Sequence, residues 1–438
     1  MGQYSHQSNE ERAYGRLREE LSEKLIEREE AEELEKSCKG LEEGSEISEV
    51  IKSRKGEVET SGEEKSEMLK AKVCVDWYDL NYYEIIHLKH GVLQKLIEGG
   101  IEKAGTKTKL IHETGLSQAN LHEILNKERE TITVCHLKDL LDFLEISYKD
   151  IDQYIIGIGS RSNPDSIKDP HLPFNFSTPQ GAMLIAAALK DGCISKTSHY
   201  LRYANKDKEN IERVEEAIKK VFGHIEPYRT IEGSLITITY HSYVIERALE
   251  EAGVPSGRKT EQEYHVPQFI REGDEEVQKA YLYQTLMDEG TWETSKYDEV
   301  YDIKYNQAIS IDKKLAEDDR RFLEDLDMKE RVLPHRGKEE GYHIRYIYID
   351  DELEMEMRRE SHDLWRIIVE SKPPNMEEEK EMFEKLFEVD VELEPSQIYY
   401  TEDGGYRVIW ELKIYGKDQC RRVMEGLDLP LHKHRDKK

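Results

Sequence analysis

What the chain lacks narrows its class first. Its 438 residues include five cysteines, Cys38, Cys74, Cys135, Cys193 and Cys420, and none forms a CxxC pair. An odd, scattered set is expected to be free thiols in a reducing cytoplasm, not a disulfide frame. No apolar run approaches the length of a membrane span and the first residues are polar, so neither an anchor nor a signal peptide is expected. A basic excess is also missing, since the formal net charge is -29. That argues against a protein that coats nucleic acid generally, because counterion release needs a basic surface, and leaves room for a locally basic groove. There is no Gly-rich phosphate loop, no nucleophile elbow and no zinc-like histidine spacing, which argues against nucleotide hydrolysis and acyl transfer. His87/His90 and His432/His434 read as solvated pairs.

What is present falls into four parts. Residues 1–70 are dominated by Glu, Lys, Ser and Gly; Leu17, Leu21, Leu25 and Ile26 share one helical face before the pattern fades. The spacing predicts a solvated helix and a disordered acidic tail, not a dimerising coiled coil. Residues 71–165 are apolar enough to fold, and two further parts follow at 176–265 and 266–438, the second with an acidic excursion near 314–375. That excursion reads as an added layer of helix and strand with a charged, solvated face.

Within the second part lies "TKTKLIHETGLSQANLHEILNKERETITVCHLKDLLDFLEIS". Leu110 and Ile111 sit on one helix, Gly115 permits a tight turn, and Ser117 is placed to cap a second helix bearing Leu121, Ile124 and Leu125. The stretch resembles the helix-turn-helix of the phage-repressor family. The resemblance implies an all-α DNA-binding domain whose recognition helix opens with Gln118, Ala119, Asn120 and His122 facing base edges. A helical bundle without DNA contact is the alternative, because Glu113, Glu123 and Glu128 repel phosphate.

The later parts share a pattern. "GAMLIAAALKDGCIS" is a small-residue apolar helix that ends on Asp191 and Gly192, with a strand expected over Cys193 to Tyr203; "KAYLYQTLMDEGTWE" repeats the arrangement with Glu289 and Gly290. Ser177, Thr178 and Pro179 open the first helix. Downstream of each comes a helix, a hairpin and a second helix, in "AIKKVFGHIEPYRTIEGSLITITYHSYVIERALEEAG" and in "MFEKLFEVDVELEPSQIYYTEDGGYRVIWELKIYGKDQCRRVMEG". An internal duplication constrains the fold strongly.

This order resembles the LAGLIDADG homing endonucleases. The resemblance implies an α+β fold, a duplicated αββαββα saddle with pseudo-twofold symmetry in a monomer that is its own pseudo-dimer. It also implies a site-specific cut in double-stranded DNA by Mg2+ or Mn2+. Asp191 and Glu289 would be the catalytic metal ligands, with Gly192 and Gly290 beside them at the ion. The saddle would be floored by Lys196, Arg202, Lys206 and Arg229 from the first repeat and Lys304 and Arg407 from the second. Arg258 and Lys259 in one loop, and Lys433 and Arg435 in the corresponding one, would clamp the DNA backbone. Ala186, Ala187 and Ala188 would let the two motif helices approach. Gln284 departs from the pattern, as a bulky amide that would widen the helix pair or need its own hydrogen bond. Asp288, the residue before the second motif acid, is expected to face away. The alternative function is a non-cleaving DNA-binding regulator or an RNA-splicing maturase with intron RNA as partner.

Overall fold

A computed structural model describes residues 71–431, except 81–82, 127–128, 162, 196, 295–298, 312–320, 323–331, 335–344, 350, 360–362 and 401–405. The expected acidic tail at 1–70, Lys196, Lys433 and Arg435 therefore lie outside the described residues. The described residues belong to one unit, Leu69–Lys438.

The chain opens with the short strand β1 (Cys74–Val75) and strand β2 (Ile85–Leu88). Helices α1 (Val92–Ala104), α2 (Lys107–Thr114) and α3 (Gln118–Leu125) follow, then β3 (Thr131–Thr133) and α4 (Val134–Leu144). The turn between α2 and α3 forms as its residues dictate. Gly115 ends α2 at φ 63, a conformation costly for a residue with a Cβ, and Ser117 accepts the Asn120 N–H at 3.0 Å to cap α3. Leu110, Leu121, Ile124, Leu137, Leu140 and Leu141 make the buried seam.

This region is not all-α, as the sequence reading had it. Strands β4 (Ile155–Ser160) and β5 (Asn163–Lys168) complete an antiparallel sheet of order β3-β2-β4-β5. The segments "EIIHL" and "QYIIGIG" are short and rich in β-branched residues, so packing on a pleated surface wins over the helical setting. Strand β6 (Phe174–Asn175) pairs with β1.

Then comes α5 (Pro179–Leu189), with strands β7 (Gly192–Ser195) and β8 (Tyr200–Asn205), helix α6 (Lys208–Phe222), strands β9 (Tyr228–Glu232) and β10 (Leu235–His241) and helix α7 (Tyr243–Glu251). The single strand expected over Cys193 to Tyr203 is a hairpin, because the polar run after Ser195 turns the chain back so that Gly192 pairs with Tyr203. A short helix α8 (Gln268–Arg271) leads to α9 (Glu275–Glu289), β11 (Thr291–Thr294) and β12 (Val300–Ile311). Strands β13 (Val332–Pro334) and β14 (Arg345–Tyr348) and helices α10 (Asp351–Arg359) and α11 (Asp363–Glu370) lie between β12 and α12 (Pro374–Phe387). The chain closes with β15 (Val391–Tyr400), β16 (Tyr406–Tyr415) and α13 (Lys417–Leu427).

The two sheets share one connectivity. The first runs β7-β8-β10-β9, and the second runs β11-β12-β16-β15 before β14 and β13 extend its edge. Both are antiparallel, and each is preceded by a buried helix, α5 or α9. Among the described residues no helix is long and apolar enough to cross a membrane.

The helix-turn-helix region meets the first repeat at α7, where Lys72 pairs with Glu251 and the Lys72 N–H donates to the Glu251 carbonyl. Glu84, 6% exposed, lies at this junction near Arg247 and Glu246; burial pushes its carboxyl up to about 7, Arg247 opposing and Glu246 adding. A raised carboxyl means that the folded state holds a proton which the unfolded state gives up near 4.5. Stability from this group is therefore full below that pH and lost as pH rises through about 7. Glu84→Gln should remove up to about 3 kcal/mol of that pH dependence, read as the difference between wild-type and variant denaturation midpoints across the window.

Candidate functional site

The ends of α5 and α9 define the site. Thr178, not Ser177, caps α5 by accepting the Gly181 N–H at 3.1 Å, and Pro179 takes the first helical position, where no amide donor is needed. Asp274 caps α9 in the same way at Val277. Ala186, Ala187 and Ala188 are at most 1% exposed, and α9 lies along α5; among the described residues no other two helices pack so extensively. Gln284 is fully buried in this seam and finds its own hydrogen bonds, donating to Asp288 Oδ1 at 2.8 Å and to the Tyr203 hydroxyl at 3.2 Å.

The residue before each motif acid crosses into the other repeat. Lys190 ends α5 and inserts beside α12, where Nζ meets Glu379 at 2.8 Å with side chains 3% and 0% exposed. Glu379 also accepts the Tyr281 hydroxyl at 2.7 Å and the Tyr305 hydroxyl. Asp288 ends α9 and inserts beside β8 and α6. Its Oδ1 accepts from Tyr203 at 2.5 Å, Gln284 at 2.8 Å, Asn210 at 3.0 Å and Asn205 at 3.5 Å. Burial, then the charge of Asp191, pushes the Asp288 carboxyl up to about 8. Asp288 does not face away: the same inward turn that carries Lys190 into the second repeat carries it into the first.

The motif acids themselves reach the surface or a cleft. Asp191 is exposed and accepts from Asn205 Nδ2 at 3.0 Å. Glu289 is half-buried and lines a cleft of about 310 Å³ with Lys190, Lys259, Tyr264, Asn306 and Gln307. The charges of both acids reach the Lys259 ammonium, Glu289's more strongly.

Lys259 is not a backbone clamp. Its ammonium caps the C-terminal end of α5, donating to the carbonyls of Leu189 at 2.7 Å, Gly192 at 2.8 Å, Ala188 at 3.2 Å and also Lys190. Four converging carbonyl dipoles attract a cation there. Burial nonetheless holds Lys259 down to about 8, with Lys190 also lowering it and Glu289 and Asp191 opposing. The Gly192 carbonyl accepts one of these hydrogen bonds and keeps a second lone pair. The motif glycines are required by close approach. A Cβ on Gly192 would stand 2.6 Å from the Ala187 carbonyl oxygen, and one on Gly290 2.6 Å from that of Leu286.

The remaining expected contacts scatter. Arg202 and Lys206 are exposed, as is Gln118 at the start of α3. Arg229 sits cross-strand from buried Ile238, on the helix-facing side of the first sheet, and pairs with Glu215 instead of flooring a saddle. Arg258 pairs with Glu261 at 2.9 Å, and Lys304 lies 3.4 Å from Asp302. Arg407 is half-buried opposite Ser310. The Asn120 side chain accepts from Arg129 at 2.8 Å and so is tied down in the unbound chain. Arg129, Lys190, Glu379 and Tyr203 were missed in the sequence. The one legible signal was a lysine, then an aspartate, at the position before each motif acid.

Removing one member of the buried ion pair should be costly. Lys190→Ala strands Glu379 without its cation and should lower stability by about 3–5 kcal/mol in denaturant unfolding. The double change Lys190→Met with Glu379→Gln should recover most of that loss, since no charge is then left unpaired.

Residues 100–155 match the Cro/C1-type HTH DNA-binding domain family. No curated protein matches the chain. Among solved structures the chain is similar to full-length DUF199/WhiA from Thermatoga maritima, at 8% identity over 59% of this chain and 58% of that one, with TM-score 0.29. It is similar to the N-terminal LAGLIDADG domain of DUF199/WhiA, at 10% identity over 59% and 86% of the two chains, TM-score 0.28. It is also similar to mesophilic variants of the homing endonuclease I-DmoI, at 10% identity over 59% and 100%, TM-score 0.28.

Proposed function

We propose that this chain binds double-stranded DNA, partly through its helix-turn-helix, and cuts it at the paired ends of α5 and α9. The observation that carries the proposal is the division of labour among the carboxylates there. Glu379 and Asp288 are consumed by buried partners, whereas Asp191 is exposed and Glu289 faces a cleft. Such oxygen donors suit Mg2+ or Mn2+, ions that take hard ligands and keep several waters. Among the described residues no group of three or more His, Cys, Asp or Glu side chains could hold a metal alone. Asp191 and Glu289 would therefore hold the ion together with non-protein oxygens. When bound, it would supply a water of lowered pKa and charge stabilisation at the leaving oxygen. Lys259 fixes the turn that presents Asp191. The internal pairing of α5 with α9 makes a monomer sufficient.

A second reading has its own observation. On the second sheet Glu293, Glu392, Glu394 and Glu411 outnumber Lys304, Arg407 and Lys413, and Lys413 is already bound to Glu394 at 2.5 Å and Glu411 at 2.8 Å. A face of that charge repels a duplex lying across both sheets, which favours a non-cleaving regulator or an RNA-binding maturase.

Selecting a target from random duplexes and assaying it in a plasmid with Mg2+ and with EDTA separates the two. Asp191→Asn and Glu289→Gln should each abolish most Mg2+-dependent cleavage while duplex binding persists, because an amide lacks the charge that holds the cation. Duplex binding by the wild-type chain with no cutting would establish the regulator instead.

A further inference from the structure

The solvent side of the first sheet differs from that of the second. Strand alternation puts Ile194, Leu201, Tyr203, Ile238 and Tyr240 inside, each at most 1% exposed. Their neighbours face out in registered rows. Tyr200 lies opposite His241; Arg202, Thr239 and Tyr228 form the next row; Ala204, Thr237 and Thr230 form a third. Along these rows the strands carry a single carboxylate, Glu232, at the far end.

Aromatic rings and one guanidinium therefore share an open sheet face. Tyr228 is 64% exposed, with no packing role to account for its ring. Tyr200 and His241 meet edge to face at 6.1 Å, and the Arg202 guanidinium lies over the Tyr200 ring at 5.7 Å. Lys206 is exposed just beyond the end of β8. With strands about 4.8 Å apart, the step from Arg202 across β10 to Tyr228 is about 10 Å, room for two or three bases.

We infer that the outward face of the first sheet binds an unpaired strand of nucleic acid, with bases stacked on Tyr228, Tyr200 and His241 and phosphates drawn by Arg202 and Lys206. Every base has a π face, so such a platform tolerates sequence, and the hydroxyls of Thr230, Thr237 and Thr239 lie within the same rows. A paired duplex offers no base faces to these rings, and if it spanned both sheets it would meet Glu392, Glu394 and Glu411 on the second. A single strand confined to the first sheet avoids them. The inference goes beyond duplex cleavage and stands without it.

The test uses the full chain and fluorescence anisotropy with labelled oligo(U), oligo(dT) and a mixed-sequence duplex, each of roughly a dozen nucleotides per strand. Tyr228→Ala should weaken binding of the single strands about 5- to 150-fold and leave the duplex within about twofold. Tyr228→Phe should retain single-strand binding, which separates stacking from loss of a hydroxyl. Equal loss on single strand and duplex would make the face a duplex floor and overturn the inference, as would single-strand binding unchanged by Tyr228→Ala. Tyr228 is a mostly exposed edge-strand residue, so the variant keeps its fold, and failure of the cleavage assay would not affect this readout.

Discussion

Close packing of α5 against α9 is the constraint from which the rest follows. Ala186, Ala187 and Ala188 bring little side-chain bulk to a helix that is buried along most of its length. Once they lie together, the last turn of each helix meets the opposite repeat, and the residue before each motif acid has nowhere to go but inward. The chain meets this in two chemically different ways. Lys190 is matched by a carboxylate and two phenols on one side; on the other, Asp288 is held by a phenol and three amides. A charge swap between the two sides would leave like charges buried together, so these contacts also specify which repeat each helix end enters.

The same packing explains how one protein with a net charge of -29 can present a nucleic-acid surface. Field at a phosphate is local. Carboxylates concentrate on the outward side of the second sheet, while the first sheet is nearly free of them and carries Arg202 with three aromatic rings. Connectivity is shared between the repeats and surface chemistry is not. The two sheets keep one strand order, while their exposed positions, which carry little of the folding energy, differ.

Much of the backbone order was legible because it depends on periodic apolar residues and on glycine turns. Gly115 and Ser117 announce the helix-turn-helix, and the acid-glycine ends of two apolar helices announce the repeats. The sheet beside the helix-turn-helix was missed because short isoleucine runs carry no period that separates strand from helix. The site was less legible still. Lys259 reads as a surface cation in a basic loop, yet the carbonyls at the end of α5 draw it inward, seventy residues away in sequence from its partners. Arg229 reads as a groove contact, and the pleat turns it to Glu215. Asp288 and Glu289 are adjacent in sequence, and only helix packing decides which one turns to Tyr203, Gln284 and Asn210. Long-range partners of this kind leave no local pattern.

The account's central claim is that Asp191 and Glu289 serve one ion at the paired helix ends. Electron paramagnetic resonance of Mn2+ titrated into the full chain with a duplex bound tests it without relying on turnover. Asp191→Asn and Glu289→Gln should each remove the same bound-Mn2+ signal while Asp288→Asn retains it, since Asp288 is occupied by Tyr203, Asn210 and Gln284. A Mn2+ signal that survives both motif-acid variants would contradict the account.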